Sequence, residues 1–231
     1  MNIRVIIYKT LATFGIKRNK PIIPEVPFKE IVSNIEIEPI EKKGDDGNIT
    51  LAELKTISAI VRQNQPNKVF EIGTFNGRTT INLAHFSPQN STVFTLDLPK
   101  QDLGHTKFTI EDGDKAYVDK ETIGDRYKNN ADKIIQLYGD SATFDFKPYY
   151  GTIDFMFVDG AHSAPYVIND TEVAFKLIRP GGIILWHDYG IWRGVTKVLN
   201  NYFKKDARCK ELKHIEGTCF VYYKSNEKKL N

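Results

Sequence analysis

At 231 residues, with 41% hydrophobic and 26% charged positions, the chain has the size and balance of a globular protein built on one large domain with appendages. A net charge of +3 and scattered basic residues exclude a nucleic-acid binder driven by a basic stripe, and the one small cluster (Lys204, Lys205, Arg208, Lys210) reads as a solvated helix end. Cys209 and Cys219 lack metal-type spacing and suit a reduced, cytoplasmic compartment better than a disulfide framework.

The short apolar run Val5, Ile6, Ile7 is interrupted by Lys9, which excludes a signal core or a transmembrane segment there. Residues 1–47 read as an N-terminal extension, because prolines at 21, 24, 27 and 39 oppose any long regular element. A domain over 48–231 then begins with a capping box, Thr50 and Glu53, and a helical stripe of Leu51, Leu54, Ile57, Ile60 and Val61.

From there strands and helices alternate. Strands are expected at 69–72, 93–97, 134–138, 153–158 and 183–186, with helices after Gly77, over 163–178, and along the stripe Val195, Val198, Leu199, Tyr202 and Phe203. Pro180, Gly181 and Gly182 are expected to turn the chain into the fifth of these strands. Residues 99–130 are polar and lack apolar periodicity, which marks a lid-like insert. Two short strands meeting at Glu216 and Gly217 suggest a terminal hairpin. The pattern predicts an α/β fold: a Rossmann-like, doubly wound, mostly parallel seven-stranded sheet with a C-terminal antiparallel hairpin.

Ligands of such sheets bind at the carboxyl ends of the strands. Five acids stand at five successive strand ends here: Glu71, Asp97, Asp140, Asp159 and Asp188. The turn after the first strand, Gly73 to Gly77, permits close backbone approach and opens a helix N-terminus. Its spacing is not G-x-G-x-x-G, and Glu71 beside it would repel a pyrophosphate but attract a ligand carrying an ammonium and a sulfonium. That charge argument favours S-adenosylmethionine over a nicotinamide dinucleotide.

The segments Phe70 to Gly77, Leu96-Asp97, Gly139-Asp140-Ser141, Val158 to His162 and Trp186-His187-Asp188-Tyr189, in this order, resemble the successive motifs of class I S-adenosylmethionine-dependent methyltransferases. The resemblance is to the methyltransferase-24 branch, akin to catechol-type and macrocin or sugar O-methyltransferases, and covers roughly residues 48–223. It implies that Glu71, Gly73, Thr74, Asn76 and Gly77 face the methionine part of the cofactor. It further implies that Asp97 takes the ribose hydroxyls, that Asp140 and Ser141 meet the adenine, and that Asp159 and His162 lie beside the sulfonium and the acceptor.

An acceptor hydroxyl needs a base or a metal to react at neutral pH. The resemblance implies Asp159 and Asp188 as carboxylate ligands of a divalent cation (Mg, Mn or Ca). Two positions depart from the family pattern: Tyr189 stands where relatives carry a third ligand, Asp or Asn, and Ala161 where the sugar-modifying relatives carry an acidic base. His162 and His187 are the available substitutes as catalytic groups. Trp186, Tyr189 and Trp192 are candidates for the acceptor wall. The expected activity is an O-methyltransferase acting on a small-molecule hydroxylated acceptor such as a sugar or glycosylated metabolite. A homo-oligomer is compatible with the sequence. A non-catalytic cofactor-binding interaction protein and a nicotinamide-dependent oxidoreductase are the competing readings.

Overall fold

The computed structural model describes residues 20–33, 35–120, 122–128 and 132–226. The apolar run at Val5 to Ile7 lies outside the described residues. Among the described residues no helix is long and apolar enough to cross a membrane.

The sheet has the strand order β1-β7-β8-β6-β5-β2-β3-β4, where β1 is Glu25–Val26, β2 Lys68–Ile72, β3 Thr92–Asp97, β4 Ile134–Tyr138, β5 Ile153–Val158, β6 Ile178–Trp186, β7 Lys213–Ile215 and β8 Val221–Lys224. The central strands are parallel, and β8 runs antiparallel between β6 and β7. Seven strands match the expected architecture. The eighth comes from the extension, where Glu25 and Val26 pair in parallel with His214 and Ile215. A two-residue strand beside prolines carries no periodicity that a sequence reading could detect.

Helices α1 (Leu51–Asn64) and α2 (Arg78–Phe86) cover one face, and α4 (Ala164–Leu177) and α5 (Arg193–Lys205) cover the other. Strand alternation feeds both cores. Val69, Phe155, Phe157, Ile183 and Leu185 pack toward α1 and α2, whereas Phe70, Met156, Val158, Ile184 and Trp186 pack toward α4 and α5. This two-sided burial is why β5 and β6 read as continuous apolar runs. The capping box forms as expected: Glu53 N–H donates to Thr50 Oγ1 at 3.2 Å and Thr50 N–H donates to Glu53 Oε2 at 2.9 Å.

Two elements differ from the sequence reading. Pro180, Gly181 and Gly182 do not precede the strand but form a bulge inside β6, between the pairings of Ile178 with Ile153 and Ile183 with Phe155. A bulge is where a strand tolerates a residue without an N–H and a glycine at φ 77°. The insert is not structureless either. It contains a short helix α3 (Asp112–Val118) flanked by helical turns at Lys100–His105 and Asp125–Tyr127. Each piece is too short to display an apolar stripe.

Candidate active site

The strand ends β2 to β6 open onto one cleft, whose lining includes Gly73, Thr74, Asp97, Asp140, Ser141, Asp159, His162, His187 and Asp188. The glycine turn shapes its floor. Gly73 has φ 97°, and a Cβ there would lie 2.1 Å from the Asp159 carbonyl oxygen, so no other residue fits. Thr74 Oγ1 meets Thr95 Oγ1 at 2.6 Å, and the Phe75 N–H donates to Asp97 Oδ2 at 2.8 Å. Asp97 also accepts from the Leu98 N–H at 2.9 Å, and burial lifts its pKa to about 6 despite Lys120 nearby. Asp140 accepts from the Lys107 N–H at 2.7 Å and the Tyr166 hydroxyl at 2.9 Å, so the insert closes over this end.

Three of the expected cofactor residues do not line the cleft. Asn76 instead bonds Asp45 and Asn48 of the chain just before α1, at 2.9 and 3.0 Å. Gly77 caps α2 at φ 82° and lies against the Tyr127 ring of the insert. Glu71 is wholly buried beneath the turn. Strand alternation directs it to the α2 side, where its Oε2 accepts from Thr80 at 2.5 Å and Thr95 at 2.6 Å. Burial raises its pKa to about 8, so at neutral pH the group is largely protonated. Glu71 thus lies beneath the turn, near Asp97 and Asp159, with its Oε1 unpaired among the described residues.

The other end of the cleft is a chain of acids and imidazoles. His187 Nδ1 lies 2.9 Å from Asp159 Oδ1 and 3.2 Å from Asp188 Oδ2, while its Nε2 faces Glu53 Oε1 at 3.5 Å. His162 Nε2 meets Asp188 Oδ2 at 2.6 Å, and its Nδ1 meets Asp114 of α3. Burial disfavours charge on both rings. The flanking carboxylates outweigh it, raising His162 to about 10 and holding His187 well above the ordinary histidine value. Burial likewise disfavours the Asp188 anion, yet the two histidines hold that carboxyl well below its usual range. Ligand atoms of Asp159, His162 and Asp188 lie within 4.8 Å of one another, which suits a divalent cation. Trp192 stacks on the His162 ring at 4.3 Å.

The two departures from the family pattern have structural counterparts. Tyr189 is 1% exposed and turns away from the acids, its hydroxyl accepting from the N–H groups of Ile22 and Ile23. Trp186 is likewise core, donating to Thr171 Oγ1 at 3.1 Å, so of the three aromatic candidates Trp192 alone lines the cleft. Next to Ala161, the Asp114 carboxylate of α3 bonds the main chain and the ring of His162.

A family model described as a methyltransferase domain, the methyltransferase-24 family, matches residues 70–189, just over half of the sequence. The chain belongs to this family. Caffeoyl-CoA O-methyltransferase 2 of Zea mays is 25% identical over 169 residues, which cover 72% of this chain and 56% of the relative, so the chain spans little more than half of that protein. Among solved structures, the SAH-bound methyltransferase of Podospora anserina superposes with a TM-score of 0.57 at 16% identity, covering 79% of this chain and 81% of its own. The O-methyltransferase NovP gives 0.55 at 18% identity, covering 77% and 81%. Both share the fold described above.

Within this methyltransferase frame, sequence reasoning missed three acids. Asp114 lay in a segment without periodicity. Glu53 was read only as half of a capping box, although its second oxygen accepts from the Cys219 N–H at 2.9 Å and faces His187. Burial opposes the Glu53 anion, but His187 and these hydrogen bonds bring its pKa down to about 2. Asp170, on the buried side of α4, bonds Asn169 at 3.0 Å and the Ser141 side chain, and burial raises its pKa to about 6. A carboxylate at a helical core position was the available signal for Asp170.

Proposed function

We propose that this protein is an S-adenosylmethionine-dependent O-methyltransferase that acts on a small hydroxylated acceptor, a sugar or glycosylated metabolite being the class we favour. The observation that carries this reading is the single cleft in which Gly73, Asp97, Asp140 and Asp159 line one part and His162 and Asp188 the other. In this reading the Gly73–Thr74 backbone receives the methionine part, Asp97 accepts from the ribose hydroxyls, and Asp140 with Ser141 meets the adenine edge. The insert excludes water through Ile110, Tyr117 and Val118. The acceptor preference rests on family likeness, and a cytoplasmic setting agrees with the two free cysteines.

Methyl transfer breaks the sulfur–methyl bond, forms an oxygen–methyl bond, and releases the acceptor proton. His162 Nε2, which shares the cleft with Asp188 at 2.6 Å, is the atom placed to pass that proton on, while Nδ1 is held by Asp114 of the insert. Its ring is protonated in the resting site and serves as a base only after losing that proton, which a positive charge beside Asp159 favours. His187 lies deeper and holds Asp159 and Asp188 in place. Asp159, His162 and Asp188 are the residues that would hold a divalent cation, and with one bound His162 would be its ligand in place of a base. Such a cation would supply Lewis-acid stabilisation of a developing alkoxide.

Calorimetry with S-adenosylmethionine tests the reading. Wild-type protein should bind and Asp97→Ala should bind at least tenfold more weakly. Absence of wild-type binding, or unchanged affinity in the variant, overturns it.

A further inference from the structure

One side chain reaches the reacting end of the cleft from the insert. Asp114 lies on α3 and is the one buried residue of that seven-residue helix, at 4% exposure. Its Oδ2 accepts the main-chain N–H of His162 at 3.0 Å, and its Oδ1 bonds the ring Nδ1 of the same residue. The opposite ring nitrogen meets Asp188 at 2.6 Å. Trp192 lies flat against the ring, 4° from coplanar, and also against α3, where a Cβ on Gly113 would come within 2.6 Å of the indole. Two of the three groups that fix the His162 ring therefore depend on α3.

The packing shows why this contact matters. Helix α3 fully buries no apolar side chain, so it lacks the hydrophobic stripe that normally docks a helix. A buried carboxylate is tolerated only where donors satisfy it, and here both donors belong to His162. The residues beside it, Tyr117 and Val118, face the cleft.

We infer that Asp114 is a positioning residue that clasps the insert to His162, so that closing the insert over the cofactor and setting the His162 ring are one event. The inference rests on the cofactor reading above. Through Nδ1, Asp114 fixes which ring nitrogen is turned toward Asp188 and the acceptor, as a carboxylate partner does for many functional histidines. With α3 displaced, the ring loses that partner and the packing of Trp192 loosens.

The test compares Asp114→Ala and Asp114→Asn with the wild type, using S-adenosylhomocysteine as the probe. Three readouts are needed: its release rate by stopped flow, tryptophan emission, and the ring N–H signals of His162 in protein labelled with ¹⁵N-histidine. Asp114→Ala should release the probe about tenfold faster, shift emission to the red as Trp192 is uncovered, and lose the Nδ1–H signal. Asp114→Asn keeps an acceptor for the main-chain N–H, so release should stay within about threefold of wild type while the carboxylate-bonded Nδ1–H signal disappears. If Asp114→Ala fails to fold, the Asn variant decides. Wild-type release and emission in the Ala variant, or a persisting Nδ1–H signal in the Asn variant, overturns the clasp. Failure of the wild type to bind the probe overturns the cofactor reading instead, and emission and ring signals of the free protein still decide the clasp.

Discussion

Asp188 and Tyr189, adjacent at the end of β6, serve opposite sides of the molecule. Asp188 adopts φ 63°, a left-handed conformation that costs a non-glycine residue on the order of 1 kcal/mol. That twist aims its carboxylate at His162 and sends the Tyr189 side chain behind the sheet. There the Tyr189 hydroxyl accepts from Ile22 and Ile23 at 2.8 and 3.0 Å and donates to Asn200 Oδ1 at 2.6 Å. The position where relatives carry a third acidic or amide ligand is thus an anchor for the extension.

Tyr189→Phe should destabilise the fold without touching the cleft. It strands two main-chain donors and the Asn200 oxygen, a loss of about 2 kcal/mol. Chemical denaturation should show a lower midpoint at unchanged slope, and S-adenosylhomocysteine affinity should stay at the wild-type value. Weakened cofactor affinity at unchanged stability would instead place Tyr189 in the site.

Gly73→Ala should be far more damaging. The residue has φ 97°, and the new methyl group would sit 2.1 Å from the Asp159 carbonyl oxygen, which is backbone and cannot swing aside. Strain and forced separation of the β2 and β5 ends should cost about 3 kcal/mol or more and abolish cofactor binding. Thermal unfolding and calorimetry on the variant check both effects. Wild-type affinity would show that the cofactor does not use this turn.

The contrast between Asp97 and Asp114 shows what the sequence made legible. Asp97 ends an apolar run at a parallel-sheet strand, and topology alone carries such a residue to the crevice. Asp114 lies in a polar insert with no period, and its meeting with His162 depends on how the chain folds across a separation of 48 residues. Glu71 shows the effect of side-chain alternation: it is beside the turn in sequence, but β2 directs it toward Thr80 and it does not line the cleft. The strand Glu25–Val26 was hidden because its pairing with β7 is set by tertiary contacts, including the Tyr189 anchor, and not by its own residues.

Glu71 makes a stability prediction with a definite sign. Its folded pKa of about 8 lies above the ordinary carboxyl value of 4.5, so the folded state binds the proton more tightly than the unfolded state. The favourable contribution is largest at low pH and is lost as pH rises from 4.5 through 8. The full loss is bounded at about 4–5 kcal/mol. Glu71→Gln cannot ionise, so its stability relative to wild type should improve as pH rises from 4.5 through 8 and level off above that. Denaturation series for the two proteins with parallel pH dependence would contradict the assignment of a neutral Glu71.

Asp97 carries the matching prediction for binding. With a pKa of about 6 it is mostly ionised at pH 7.5 and mostly protonated at pH 5. A carboxylate accepts from two ribose hydroxyls through charge-assisted hydrogen bonds that a neutral carboxyl cannot fully replace, a difference of about 1.5–3 kcal/mol. Affinity for S-adenosylhomocysteine should therefore be flat above pH 7 and fall about tenfold or more as pH drops through 6. Asp97→Asn should bind weakly and lose this pH dependence. Because the Lys120 charge lowers the Asp97 pKa, Lys120→Met should move the binding midpoint to higher pH. Calorimetry from pH 5 to 8 on the three proteins measures all of this. A pH-independent wild-type affinity would remove Asp97 from the ribose contact.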